Sequence, residues 1–223
     1  MKLKTLMAVL FSAPLAAHAA CKDAPKAGVD WSGCDKQRLI LAKAELRGAK
    51  ITGAELDGTD LANANLSGAD LSRTSIDRVR LAGADLTNAK LVEVSAYRTN
   101  LSGAKMAGTD LTKAELIRTN LKGADLTNAK LEKAEFPRAS LEDANLTGAN
   151  LTGAELARAI LVNAKLAGTK LAQARMFRAR IEGVDLSGTT GLAQPQLDSA
   201  CGDAKTKLPA GLKPGPSWPC AKE

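Results

Sequence analysis

Six arginines, Arg78, Arg98, Arg118, Arg138, Arg158 and Arg178, recur every 20 residues. A guanidinium is planar, permanently charged, and presents a fork of donors that matches a carboxylate or a phosphate. A row of them is chemistry for holding an anion, provided the chain brings residues 20 apart to one side. The residues just before them are Asp77, Tyr97, Ile117, Pro137, Ala157 and Phe177. From Tyr97 onward an apolar stripe, with Tyr97, Ile117 and Phe177 its largest members, therefore runs beside the arginines.

No comparable set of residues carries catalysis. The only histidine is His18, which falls in an N-terminal leader. Its removal leaves no imidazole to serve as a general base, a nucleophile's partner or a metal ligand. Asp57 and Asp77 share a position 20 residues apart. Two carboxylates without a neighbouring base do not make the calcium-assisted site of a polysaccharide-cleaving β-helix. The expectation is a chain that is not an enzyme, with no cofactor and no metal.

What could align residues 20 apart is visible in the apolar pattern. Leu41, Leu46, Ile51, Leu56 and Leu61 begin a series at every fifth position that runs to Ile181 and Leu186. These make 30 units. Two residues before each centre stands a small or β-branched residue, such as Ala44, Ala49, Ala54, Thr59 and Val184. A period of five fits neither a helix nor a flat strand. It fits a chain that turns a corner every five residues, pointing the centre and the residue two before it inward. Four such sides make a coil of 20 residues, so 30 units give 7.5 coils stacked at ~4.8 Å. The stretch VSAYRTN at 94–100 replaces a central Leu with Ala96. The register passes through it unbroken, and Val94 returns part of the lost volume.

With this phrase, A-(D/N/E/K)-L-x-x, over about residues 39–190, the chain resembles the pentapeptide-repeat proteins. The resemblance implies an all-β fold, a right-handed quadrilateral parallel β-helix with short capping segments. GVDWSGCD (28–35) and QLDSACGDAKTKLP (196–209) resemble segments that bracket the repeats in secreted bacterial members. The family's best-known members are cytoplasmic DNA mimics that bind type II topoisomerases through an acidic surface. This chain is basic, with a formal charge of +7, so that activity does not carry over.

The sequence divides into a signal peptide (1–19), an N-terminal cap (20–38), the repeats (39–190) and a C-terminal cap and tail (191–223). Lys2 and Lys4 precede the apolar run Leu6 to Leu15, and Ala17-His18-Ala19 has the form of a cleavage site. Cleavage there lowers the formal charge from +7 to +5, because the leader holds two lysines and no acid. No apolar run is long enough to span a membrane. Cys21, Cys34, Cys201 and Cys220 are an even set behind a leader, which argues for disulfides in an oxidising compartment. Of three pairings, Cys21–Cys34 and Cys201–Cys220 each close a short local loop and are favoured. A lipid anchor on Cys21 is less favoured, since it leaves Cys34 unpaired. Trp31 is placed as a plug for one end of the stack, QPQLDSA as a cap helix at the other, and Trp218 as a packing residue.

Stacked arginines repel one another, so the row needs a partner. Glu115, Glu135 and Glu155, each three residues before an arginine, could supply it internally. The tail could fold over the stripe, or a second copy could cover it. The remaining reading is a recognition face for an anionic envelope component or a protein, with no nucleic acid involved. Gly and Asn fill the matching positions on another face and accept the positive φ of a type II turn, which Arg does poorly. Negative φ is therefore expected at most of the six arginines.

Overall fold

The computed structural model describes residues 21–221. The signal peptide expected at 1–19 lies outside the described residues. Parallel bridges join residues 20 apart at every fifth position, from Asp30 with Lys50 and Asp35 with Glu55 through to Lys170 with Thr190. One winding of the chain thus takes 20 residues, and the sequence period of five is the interval between its bends.

Three backbone hydrogen bonds per unit hold each winding to its neighbours, among them that of the Gly83 amide to the Ser102 carbonyl at 2.9 Å. The amide of Leu81 donates to the carbonyl of Asn100 at 2.7 Å, and the amide of Asn100 donates to the carbonyl of Val79 at 2.9 Å. Because every rung repeats this pattern, the centres stack. Leu81, Leu101, Leu121, Leu141 and Leu161 are fully buried, and so are the small residues Ala84, Ala104 and Ala124 that precede the next centres. The core is a continuous column of Leu against Ala, which is why the chain needs few aromatics.

The polar letters of the repeat have local causes. Asp110 Oδ1 accepts from the Thr112 amide at 3.1 Å and from its hydroxyl at 2.7 Å, a side-chain turn that Asp and Asn form readily. Where Thr replaces the inward Ala, its buried hydroxyl finds a carbonyl in the winding before. Thr119 Oγ1 donates to Ala96 O at 2.6 Å, and Thr169 Oγ1 to Leu146 O at 2.8 Å. Val94 and Ala96 are both fully buried, and the Ala96 amide keeps its bond to Glu115 O at 2.9 Å.

Contrary to the expectation from propensity, all six arginines have positive φ, between 53° and 58°. The cause is cooperative. The Arg138 amide donates to Ala157 O at 3.0 Å, and the following Ala139 amide closes the bend onto Phe136 O at 3.0 Å. A different bend would break both bonds and leave buried groups unpaired, at a cost of about 1–3 kcal/mol each. The left-handed conformation costs a non-glycine residue only about 1–2 kcal/mol. The stack therefore imposes one type of bend on every side.

Each end of the stack is closed. Trp31 is buried, its indole N–H donating to Asp23 O at 3.2 Å, with the Lys36 ammonium 4.2 Å from the ring centre. At the other end a short helix, α1 (Gln194–Ser199), lays its buried Leu197 over the core. Gln196 Nε2 donates to the carbonyls of Leu171 (2.8 Å) and Ala174 (2.9 Å) of the last winding. Disulfides join Cys21 to Cys34 and Cys201 to Cys220. The first occupies the sulfur that a lipid anchor on Cys21 would need. Among the described residues no helix is long and apolar enough to cross a membrane.

Candidate anion-binding face

The arginine column follows from the winding. The amides of Arg78, Arg98 and Arg118 donate to the carbonyls of Tyr97, Ile117 and Pro137, each one rung on. All six side chains are exposed. The column also contains Arg38, at φ 55°, above Gly58. Sequence reading missed Arg38 because Lys36, not an apolar residue, stands at its centre. Continuing the period of 20 upward from Arg78 through Gly58 would have found it.

The apolar stripe accompanies the arginines unevenly. Tyr97, Ile117 and Pro137 are half-buried, whereas Phe177 is 54% exposed. Arg98 lies over the Tyr97 ring at 5.1 Å and Arg178 over Phe177 at 5.3 Å. Above the stripe, Asp57 and Asp77 brace the backbone. Asp77 Oδ1 accepts from the Tyr97 amide at 2.8 Å and the Ser95 hydroxyl at 3.0 Å.

The internal partner expected for the arginines does not form. Among the described residues, none of Arg78, Arg98, Arg118, Arg138, Arg158 and Arg178 has a carboxylate oxygen within 4.0 Å. Glu155 instead pairs with Arg175, one rung on, which raises the Arg175 pKa. A neighbouring column behaves in the opposite way. Glu93 sits between Arg73 (3.2 Å) and Lys113 (3.3 Å), and the two cations, Lys113 foremost, hold its carboxyl below the usual range. In that column one carboxylate bridges two cations across successive rungs. Lys130 and Asp110 likewise pair at 3.5 Å on another column.

Among the described residues the tail does not cover the column. It borders the lower end alone, where a cleft of about 970 Å³ opens between Arg138, Arg158, Arg178 and Arg180 on one side and residues 216–221 on the other. Trp218 is half-buried in that wall, and its indole N–H donates to Ala200 O at 3.2 Å. Gly202 lets the ring approach, since a Cβ there would lie 2.7 Å from it. Arg180 donates twice to Glu182 Oε1, at 3.0 and 2.7 Å. Glu182 also approaches Cys201 and Cys220 closely enough to suggest a metal cluster. Both sulfurs are tied in the disulfide and are not thiolate ligands.

Comparison with known proteins agrees with this architecture. The profile of pentapeptide repeats matches residues 40–81, 54–91, 80–116, 97–132, 124–162 and 154–190, in eight copies. The chain belongs to the pentapeptide repeat family, and its fold is that family's right-handed β-helix. Among solved structures it is similar to HetL, a pentapeptide repeat protein involved in heterocyst differentiation regulation from the cyanobacterium Nostoc sp. strain PCC 7120. That likeness has 26% identity and a TM-score of 0.72, and covers 87% of this chain and 89% of HetL. It is also similar to full-length QnrB1, a plasmid-mediated fluoroquinolone resistance protein, at 18% identity and TM-score 0.59, over 81% of this chain and 91% of QnrB1. The QnrB1 likeness is one of fold. Comparison with curated protein sequences finds no match.

Proposed function

We propose that this chain is a non-enzymatic, exported binding module that recognises an anionic component of the cell envelope through its arginine column and apolar stripe. In this reading residues 1–19 are a cleaved signal peptide. Residues 39–190 wind about 7.5 square coils from 30 five-residue units, and 20–38 and 191–223 are caps. The two disulfides suit an extracellular or periplasmic location.

One observation carries the proposal. Six arginines occupy bends that Gly or Asn would fill with less strain, and none is paired with an acid among the described residues. The column holding Arg73, Glu93 and Lys113 shows that this scaffold pairs charges across rungs where the sequence supplies both signs. Charge that is strained and has no carboxylate partner contributes little to the fold beyond the ring contacts of Arg98 and Arg178, so its use lies outside it. The same column argues against a DNA-mimic surface, which needs carboxylates where this chain places guanidiniums.

The test is the affinity for lipopolysaccharide and for an acidic envelope polysaccharide across a salt series. Replacing Arg98, Arg118, Arg138 and Arg158 with Gln should weaken binding and flatten its salt dependence, because exposed charges are screened by salt. A variant that kept both affinity and slope would make the column structural only.

A further inference from the structure

The column is uniform along its length, but its surroundings are not. Among the described residues a second wall stands opposite it only at its lower end. Arg138, Arg158 and Arg178 come from three successive windings, about 4.8 Å apart each. Arg180 joins them from the adjoining side. Facing them is the tail segment containing Pro216, Trp218 and Pro219, fixed by the Cys201–Cys220 disulfide. A covalently held wall keeps the cleft in shape before any ligand arrives, which reduces the ordering cost of binding.

We propose that this cleft is a discrete site for a ligand bearing clustered phosphate groups. The inference rests on the reading of the arginine column as a recognition face, and locates within it the place of tightest binding. Charge decides the ligand class. No carboxylate lines the cleft among the described residues, and Glu182 offsets Arg180 alone. Three guanidiniums therefore remain to be balanced beside an apolar wall that weakens screening by water. One carboxylate supplies a single charge. A phosphate monoester carries about −1.5 to −2 at neutral pH and presents three acceptor oxygens. Two or three neighbouring phosphates match both the charge and the rung-by-rung spacing of the forks. Trp218 has its indole N–H already engaged by Ala200, so it offers the ligand an apolar surface rather than a donor.

Phosphates could reach the cleft on a lipid-linked sugar or free in solution. Sodium tripolyphosphate tests the shared chemistry. Lipopolysaccharide, compared before and after enzymatic removal of its phosphates, tells the sources apart. The disulfide-bonded protein is titrated by calorimetry and by tryptophan fluorescence. Trp31 is buried at the far end, so a fluorescence change reports Trp218. Two variants remove equal charge: Arg138, Arg158 and Arg178 to Gln at the foot, and Arg78, Arg98 and Arg118 to Gln at the head. The expected result is a loss of at least about tenfold in tripolyphosphate affinity for the foot variant and less than about threefold for the head variant. Citrate, a tricarboxylate of lower charge than tripolyphosphate at neutral pH, should bind at least about tenfold more weakly. Equal losses in the two variants would remove the site and leave the wider column as the binding face. No loss in either would remove both. Equal affinity for citrate would overturn the assignment to phosphate.

Discussion

The Arg178 amide donates to the Ser199 carbonyl at 2.6 Å, so the last rung of the arginine column is stitched directly to the cap helix α1. The arginine column and the end of the stack are therefore one structural unit. A lesion in the cap should be felt at the foot of the column.

The cap itself is testable. Leu197 is fully buried, and Leu197→Ala should cost about 2–5 kcal/mol. Gln196→Ala should cost about 1–3 kcal/mol, because it strips the side-chain donor from the Ala174 carbonyl and leaves Leu171 O with the Ala174 amide alone. Denaturant unfolding reads both. The exposed rung edge should also make Leu197→Ala prone to association, visible by light scattering.

Reducing the Cys201–Cys220 bridge frees a loop with a sequence separation of 19. A disulfide closing a loop of that order contributes about 3 kcal/mol. A Cys201→Ser, Cys220→Ser variant should unfold at a lower temperature in calorimetry while keeping the far-ultraviolet spectrum of the stack.

Backbone strain in the column predicts a separation of stability from binding. Arg118 lies at φ 56°. Arg118→Gly relieves strain but frees the unfolded chain, two opposing effects of about 1 kcal/mol. Its stability should change by less than about 1 kcal/mol while binding weakens. Arg118→Val places a β-branched residue in the same bend and should destabilise clearly in denaturant.

Acid should loosen the C-terminal end. The Ser187 hydroxyl, then Lys207, hold the exposed Asp185 carboxyl down to about 2. The Gly183 amide leads the groups that lower Asp203. A carboxyl lowered by folding stabilises the fold above its unfolded value near 3.8 and loses that contribution as pH falls through the folded value. Trp218 fluorescence should be flat above about pH 5 and change between about pH 4 and 2. A transition beginning above pH 5 would contradict this assignment.

The period of five was enough to read the winding, because a bend every fifth residue leaves Leu41 to Leu186 one geometry in which all are buried. The disulfides followed from loop length. The bend at the arginines did not follow. Propensity favours negative φ for a single Arg, and the hydrogen bonds that override it, such as Arg138 to Ala157, exist only once the next winding is laid down. Pairing of Glu155 failed similarly. Sequence proximity suggested Arg158, but the rung brings Arg175 into reach. The cleft was illegible for a related reason, since the path of a Pro-rich tail is set by contacts such as Trp218 on Gly202.

The central claim is that the position of the charge, rather than its amount, makes the binding face. The direct measurement compares two four-fold variants in binding to lipopolysaccharide at several salt concentrations. One carries Gln at Arg98, Arg118, Arg138 and Arg158. The other carries Gln at Lys43, Arg73, Lys113 and Lys133, which removes the same charge from other bends. The account predicts that the first loses at least about tenfold in affinity, worth about 1.4 kcal/mol, and that the second stays close to the unmodified protein. Equal losses in the two variants would contradict it.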